Sequence, residues 1–288
     1  MRANTVINIL ALLSFSFLQA AISANALRQD EVSMGTTILA VRYNGGVVVG
    51  ADTRTSVSGY VSNRYAAKLT FVLDRDVDNF VVASNKLPID SSTCVICRSG
   101  SAADTQHLAS VVRTELVSRQ LMYRIRGTVT HVAALLRNIL VNNDLSASLI
   151  CAGYDHELGR GVIYTITPGG TVFEERLWAV GGSGSTYILG HLDSCYSKEN
   201  REVLQSEKEA LEFVSSAIGL AMERDGSSGG FIRMYVIDRF GKRFVSKMPD
   251  KRSNGFAGND RIQQHAVPLR NFAPALTKYN PTDMVSNK

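Results

Sequence analysis

The sequence predicts an α+β fold in which two stacked β-sheets carry helices on both outer faces, and three observations point there. The elements come in the order strands, two helices, strands, two helices, strand. Short apolar runs are punctuated by glycine-bearing turns. The helical segments show an apolar stripe each, so each has one face to bury. With 288 residues, 45% of them hydrophobic, the chain can bury a sizeable core.

Taken in order, Ile38 to Tyr43 and Val47 to Ala51 are apolar runs around Asn44-Gly45-Gly46, a β-hairpin signal. Lys68 to Leu73 is a third short strand. Ser101-Ala102-Ala103-Asp104 has the capping-box form and opens a helix striped by Leu108, Val111, Val112 and Leu116. A second helix follows Gly127, with Val132, Leu135, Leu136, Ile139 and Leu140 on one side. Ser148 to Tyr154 and Gly161 to Thr167 are strands around a charged turn, and Pro168-Gly169-Gly170 is the next turn. Trp178 to Gly182 leads into a third helical stretch from Thr186. Glu209 to Arg224 is a fourth helix, with Leu211, Val214, Ile218 and Met222 at helical spacing. Phe231 to Asp238 is a returning strand, and beyond about Lys247 the chain turns polar, so 249–288 reads as a mobile C-terminal extension.

Composition narrows the function classes. The formal charge of +5 is spread over mixed signs without a long basic run, so no nucleic-acid footprint is present. Cys94 and Cys97 form one C-x-x-C pair, but no second pair exists, and His107, His131, His156, His191 and His265 lack ligand spacing. No metal and no cofactor are expected. The remaining cysteines, Cys151 and Cys195, make the total too small for a disulfide framework and favour a reducing compartment. The N-terminus pulls the other way. Arg2, an apolar stretch from about Val6 to Ile22, and Ala24-Asn25-Ala26 have the layout of a secretory signal peptide. Ser14, Ser16 and Gln19 interrupt that stretch, which is too short and polar to span a membrane.

The chemistry lies in motifs that are bland one at a time. Gly35-Thr36-Thr37 before Ile38 and Leu39 is most simply a strand entering a sheet. Asp52 and Lys68 are each an ordinary strand-end charge, and Gly182-Ser183-Gly184-Ser185 and Asp225-Gly226-Ser227-Ser228-Gly229 are each a Gly-Ser loop. Their ordered company is not bland. With Gly50-Ala51-Asp52-Thr53-Arg54, Lys68-Leu69-Thr70 and Arg98-Ser99-Gly100-Ser101 in sequence, the chain from about Glu31 to Lys247 resembles the catalytic beta subunits of the 20S proteasome, and in detail the caspase-like beta-1 type.

The resemblance implies the four-layer αββα sandwich of the N-terminal nucleophile hydrolases. It implies a catalytic domain over 36–248, with 1–35 as a propeptide removed autocatalytically at Gly35-Thr36. The family pattern runs almost directly from the Asp74-Arg75 equivalent to the Cys97-Arg98 equivalent, so 76–93 stands as an insertion rich in Asp76, Asp78, Asn79 and Pro88. A threonine hydroxyl needs a base, and a free α-amine on the same residue, with a pKa of about 7.7–8.0, serves as one. Thr36 would be that nucleophile, with Lys68 lowering its hydroxyl pKa and Asp52 keeping Lys68 charged. The N–H of Gly100, ahead of a capped helix, would form the oxyanion hole. Ser183, Asp225 and Ser228 would position the amine and a water. Arg98 would set a preference for an acidic side chain before the cleaved bond, in a pocket completed by Thr55, Ala66, Thr70, Ala102 and Gln106. Ala66 stands where the family pattern has threonine, which weakens a strict acidic preference.

The implied partners are other proteasome alpha and beta subunits and unfolded protein substrates, with no nucleic acid and no membrane, in cytoplasm and nucleus. Three alternatives stand beside this. Gly226-Ser227-Ser228-Gly229-Gly230 satisfies the G-x-S-x-G pattern of a serine hydrolase using Ser228, although a helix precedes it and a strand follows, the reverse of a nucleophile elbow. A non-catalytic scaffold subunit of the beta ring would not need the whole residue set. A secreted binding module is supported by the leader alone, which a gene-model error would also explain.

Overall fold

The structure, a computed structural model, describes residues 35–57, 60–73, 92–123, 127–143, 145–197 and 203–248. The leader over 1–34, positions 76–91 of the expected insertion and the extension over 249–288 lie outside the described residues.

Two five-stranded antiparallel sheets form the centre. Strands β1 (Ile38–Tyr43) and β2 (Gly46–Asp52) are the expected hairpin, with Tyr43 opposite Gly46 and Asn44-Gly45 as the two-residue loop. Three further strands complete the first sheet: β10 (Trp178–Gly181), β11 (Ile232–Asp238) and β12 (Gly241–Lys247), in the order β10-β1-β2-β11-β12. The second sheet runs β5-β6-β7-β8-β9, from β5 (Leu69–Leu73), β6 (Thr93–Gly100), β7 (Ala147–Asp155), β8 (Arg160–Ile166) and β9 (Val172–Glu175). A small separate hairpin, β3 (Thr55–Val57) and β4 (Tyr60–Asn63), lies between β2 and β5 in the chain.

Helices cover both outer faces. The first pair, α1 (Ala102–Tyr123) and α2 (Val129–Asn142), buries Leu108, Val112, Val132 and Leu136 against Cys94, Ile96, Leu149 and Val162 of the second sheet. On the other side, α3 (Leu189–Ser197) and α4 (Glu207–Arg224) pack Ile188, Leu192, Val214 and Ile218 onto Leu39, Val41, Val48 and Met234. A third cluster fills the space between the sheets, with Ile38, Ala40, Val47 and Val49 facing Val95, Cys97, Ile150 and Ile163. Strands such as β1 and β2 read as unbroken apolar runs because both of their faces are buried. The layers are helix, sheet, sheet, helix, the four-layer αββα sandwich.

Several local expectations need correction. Val111 is exposed, and the buried stripe of α1 takes in Thr105 instead. The capping box is half-formed: Ser101 Oγ accepts from Asp104 N–H at 3.3 Å, whereas the Asp104 carboxylate accepts from Ser146 N–H at 3.2 Å and so ties the helix start to β7. The stretch from Thr186 begins as a 3-10 turn over Ser183–Tyr187 before α3. Helix α4 starts two residues before the expected Glu209, capped by Ser206 Oγ on Glu209 N–H at 3.2 Å. At the end of the expected insertion, Thr93 opens β6 opposite Tyr154 and Ser92 Oγ accepts from His156 N–H. Cys94 and Cys97 sit three apart on one strand, so their side chains enter opposite faces of the sheet, one in the outer core and one in the inner. They cannot share a metal ion, and burial pushes both thiols up. Among the described residues no helix is long and apolar enough to cross a membrane.

Ile218 is fully buried where α4 crosses β2, so close that a side chain at Gly50 would stand 2.7 Å from its Cδ1. We expect Ile218→Ala to cost about 2–5 kcal/mol through lost burial and a residual cavity, read as a lower midpoint in urea unfolding. A loss under about 1 kcal/mol would mean that the site collapses around the smaller residue.

Candidate active site

The site forms where five chain segments meet: the residues leading into β1, the end of β2, the residues before β5, the turn after β10, and the loop between α4 and β11. Asp52, the last residue of β2, is fully buried and accepts four hydrogen bonds. Its Oδ1 takes Lys68 Nζ at 2.7 Å and Thr37 N–H at 2.8 Å. Its Oδ2 takes Gly229 N–H at 3.0 Å and Arg54 N–H at 3.1 Å. That set uses the lone-pair sites of an ionised carboxylate, which is what makes its burial tolerable.

Lys68 is also buried, and its Nζ donates to the carbonyl oxygen of Gly35 at 2.7 Å. Burial pulls its pKa down, while the charges of Asp52 and, further off, Asp225 oppose that pull. Gly35 is wedged against the 225–229 loop. A Cβ on Gly35 would lie 2.0 Å from Ser227 Cβ and 2.4 Å from Ser227 C, so no other residue fits there without moving that loop.

A second network holds the nitrogen of Thr36. Thr36 N–H donates to Ser183 Oγ at 3.2 Å, and Ser183 Oγ donates to Asp225 Oδ2 at 2.7 Å. Ser228 Oγ reaches the same Oδ2 at 2.7 Å, while Ser227 N–H donates to Oδ1 at 3.0 Å. Asp225 caps the C-terminus of α4, and Ser183 opens the 3-10 turn after β10, so the helix end and the strand end bring the two together. Burial by itself would raise the Asp225 pKa, but the hydrogen bonds from Ser228, Ser183 and Ser227 N–H, with the Lys68 charge, hold the carboxyl below its ordinary range.

The remaining sequence candidates fall on the second sheet and its first helix, except Thr55 in the small hairpin and Ala66 in the stretch before β5. Arg98 N–H bonds Lys68 C=O at 2.8 Å, which ties β6 to the segment before β5. The Arg98 side chain is buried, contacts Ala67 O through Nη2, and lies 3.5 Å from Thr105 Oγ1 through Nη1. Its Nε has no hydrogen-bond partner, and no carboxylate pairs with it among the described residues. Burial lowers its pKa. Gly100 ends β6 at a φ of +104°, with Ser146 O 2.5 Å from where a Cβ would stand, a position that glycine alone accepts without strain. Ala102 and Gln106 share a face of the first turns of α1, Thr70 lies in β5, Thr55 opens β3, and Ala66 N–H bonds Thr53 O at 2.9 Å.

Ser228 is fully buried and donates to a carboxylate, and no histidine bonds it among the described residues. That arrangement does not suit the serine-hydrolase alternative, whose nucleophile must be exposed. The sequence did not single out Thr37, Arg54, Ser227 or Gly229, each of which meets a site carboxylate through a backbone N–H. Backbone donors carry no residue-type signal.

Comparison with known proteins matches the sequence to one family. The proteasome subunit family model matches residues 32–78 and 78–237. The chain is similar to the probable proteasome subunit beta type-1 of Schizosaccharomyces pombe, 41% identical over 76% of this chain and 87% of the relative. It is similar to the proteasome subunit beta type-1 of Saccharomyces cerevisiae, 37% identical over 80% of this chain and 96% of the relative. The proteasome subunit beta type-6 of Arabidopsis thaliana is 41% identical over 73% of this chain and 80% of that one.

The contact at Gly35 makes one prediction. Gly35→Ala should displace the 226–228 backbone and weaken the Ser227 N–H bond to Asp225, visible as a moved loop in a crystal structure of the chain that still carries residue 35; an unmoved loop would mean that position 35 shifts instead.

Proposed function

The chain belongs to the proteasome subunit family, and within it we propose a catalytic beta subunit of the 20S core, a threonine endopeptidase that assembles with other alpha and beta subunits and cuts unfolded proteins after acidic residues. The observation that carries this is the placement of the buried Lys68 ammonium, held by Asp52, on the carbonyl oxygen of Gly35. A scaffold subunit would have no use for a desolvated cation on that peptide bond.

This reading has two steps. In the first, Thr36 Oγ1 attacks the Gly35 carbonyl carbon while Lys68 stabilises the charge growing on its oxygen. The C–N bond breaks as the nitrogen gains the proton that the Thr36 hydroxyl gave up, the resulting ester is hydrolysed by water, and 1–35 leaves as a carboxylic acid. The Thr36 nitrogen is then a free amine, still beside Ser183 and Asp225. In the second step, Thr36 Oγ1 attacks a substrate carbonyl, its proton passing to that amine. The Gly100 N–H receives the oxyanion, the leaving amine takes a proton, and water frees the acyl group. The leader thereby keeps the nucleophile without its base until it is removed. The reading places the protein in cytoplasm and nucleus and makes the 76–93 region an insertion relative to the family pattern.

Arg98 supports the acidic preference. A buried guanidinium without a carboxylate partner among the described residues offers a substrate side chain the charge it lacks.

The identity of the first residue of the mature chain, by intact mass, tests the whole reading. Thr36 is the expected result, and Thr36→Ala should abolish peptidase activity at this subunit; a chain beginning at Met1 or Leu27 would overturn it. Arg98→Leu should lower kcat/KM for a peptide with glutamate before the cut roughly ten- to a hundredfold. Cleavage after leucine should fall far less, and equal losses on both peptides would remove Arg98 from the specificity role.

A further inference from the structure

Thr37 touches both halves of the site. Its N–H donates to Asp52 Oδ1 at 2.8 Å, on the lysine side, and its Oγ1 lies 2.8 Å from Ser228 Oγ, on the Asp225 side. Distance does not say which hydroxyl donates, but proton counting does. Ser228 has a single hydroxyl proton, and it points at Asp225 Oδ2 at 2.7 Å. An ionised carboxylate only accepts, so Ser228 Oγ is left as an acceptor and Thr37 is the donor. The same count runs on the opposite side: Ser183 gives its proton to Asp225 Oδ2 and accepts from Thr36 N–H at 3.2 Å.

Two serine hydroxyls therefore converge on one carboxylate oxygen, and one of them is aimed by Thr37. Thr37 and Ser228 are both fully buried. The Thr37 hydroxyl is pressed against the backbone of Gly184, where a Cβ would stand 2.0 Å from Oγ1, so its rotamer has little freedom. Gly184 N–H in turn bonds Thr36 O at 3.1 Å. We infer that the Thr37 hydroxyl is a positioning group for the Thr36 nitrogen, acting through Ser228 and Asp225 to fix Ser183 beside it. Donation from Thr37 polarises Ser228 into a stronger donor to Asp225 and holds its rotamer. Without that donor, Ser228 is free to turn, the Asp225 carboxylate loses one of its two fixed hydroxyls, and Ser183 loses the anchor that keeps it on Thr36. The functional part of this inference rests on the reading of Thr36 as nucleophile.

Thr37→Ser and Thr37→Ala differ by one oxygen atom, which isolates the hydroxyl from the methyl group. Both are compared with wild type in assembled core particles, by kcat and KM on an acidic peptide and by crystallography. Thr37→Ser should keep kcat within about threefold, whereas Thr37→Ala should lose about tenfold in kcat with KM changed less than about twofold. In a Ser228→Ala background the alanine substitution at position 37 should add no further loss, because its route is already cut. The Ser183 Oγ to Thr36 N distance should open past about 3.5 Å in Thr37→Ala and stay bonded in Thr37→Ser. Equal impairment by serine and alanine, losses that add in the Ser228→Ala background, or an unchanged Ser183 to Thr36 distance would overturn the inference. If wild-type particles show no Thr36-dependent cleavage, the proposed function fails, and the crystallographic comparison still decides whether Thr37 positions Ser183.

Discussion

A buried lysine resting on a buried aspartate is the constraint around which the rest of this molecule is arranged. Neither Lys68 nor Asp52 has appreciable contact with solvent, and moving either charge out of water alone would cost several kcal/mol. The fold meets that cost with donors. Thr37, Arg54 and Gly229 each aim a backbone N–H at the Asp52 carboxylate, so the entry to β1, the exit of β2 and the loop before β11 must all arrive together. The pair thereby sets the geometry of three segments that are far apart in the chain.

The same crowding explains why the site is built from glycine, serine and threonine. Gly35 stands against Ser227, and Gly184 against Thr37, at separations that leave no space for a side chain. Short hydroxyl side chains can then bridge backbone to carboxylate, as Ser183 and Ser228 do at Asp225. Such a network is stiff. It holds the Thr36 nitrogen in a fixed place beside Ser183 and Asp225.

The two sheets divide the work. The first carries Asp52 at the end of β2 and Thr36 ahead of β1, while Lys68 precedes β5 of the second, which also presents Arg98 and Gly100 at the end of β6; the Lys68–Asp52 ion pair joins the two. The inner core of Ile38, Val47, Val49, Val95 and Ile150 locks the sheets face to face. A close-packed interface of this kind transmits little slack, so the distance between Thr36 and Arg98 is a property of the fold.

Local sequence was enough for the β1–β2 hairpin, for α2 and α4, and for the layer order, since apolar periodicity and turn residues act over a few neighbours. It was not enough for the bounds of β6, for β9 and β12, or for the β3–β4 hairpin, which are short or half-polar and owe their pairing to strands elsewhere. At the site, Thr36, Asp52, Lys68, Ser183, Asp225 and Ser228 stood out through family resemblance, whereas Thr37, Ser227 and Gly229 did not. Their contributions are directions of N–H and O–H groups, and a direction exists only once distant segments have packed. The sequence by itself determined which elements form and which residue types are on hand. The tertiary structure alone decided which carboxylate each donor meets, because residues as far apart as Thr37 and Ser228 become neighbours only through the folded core.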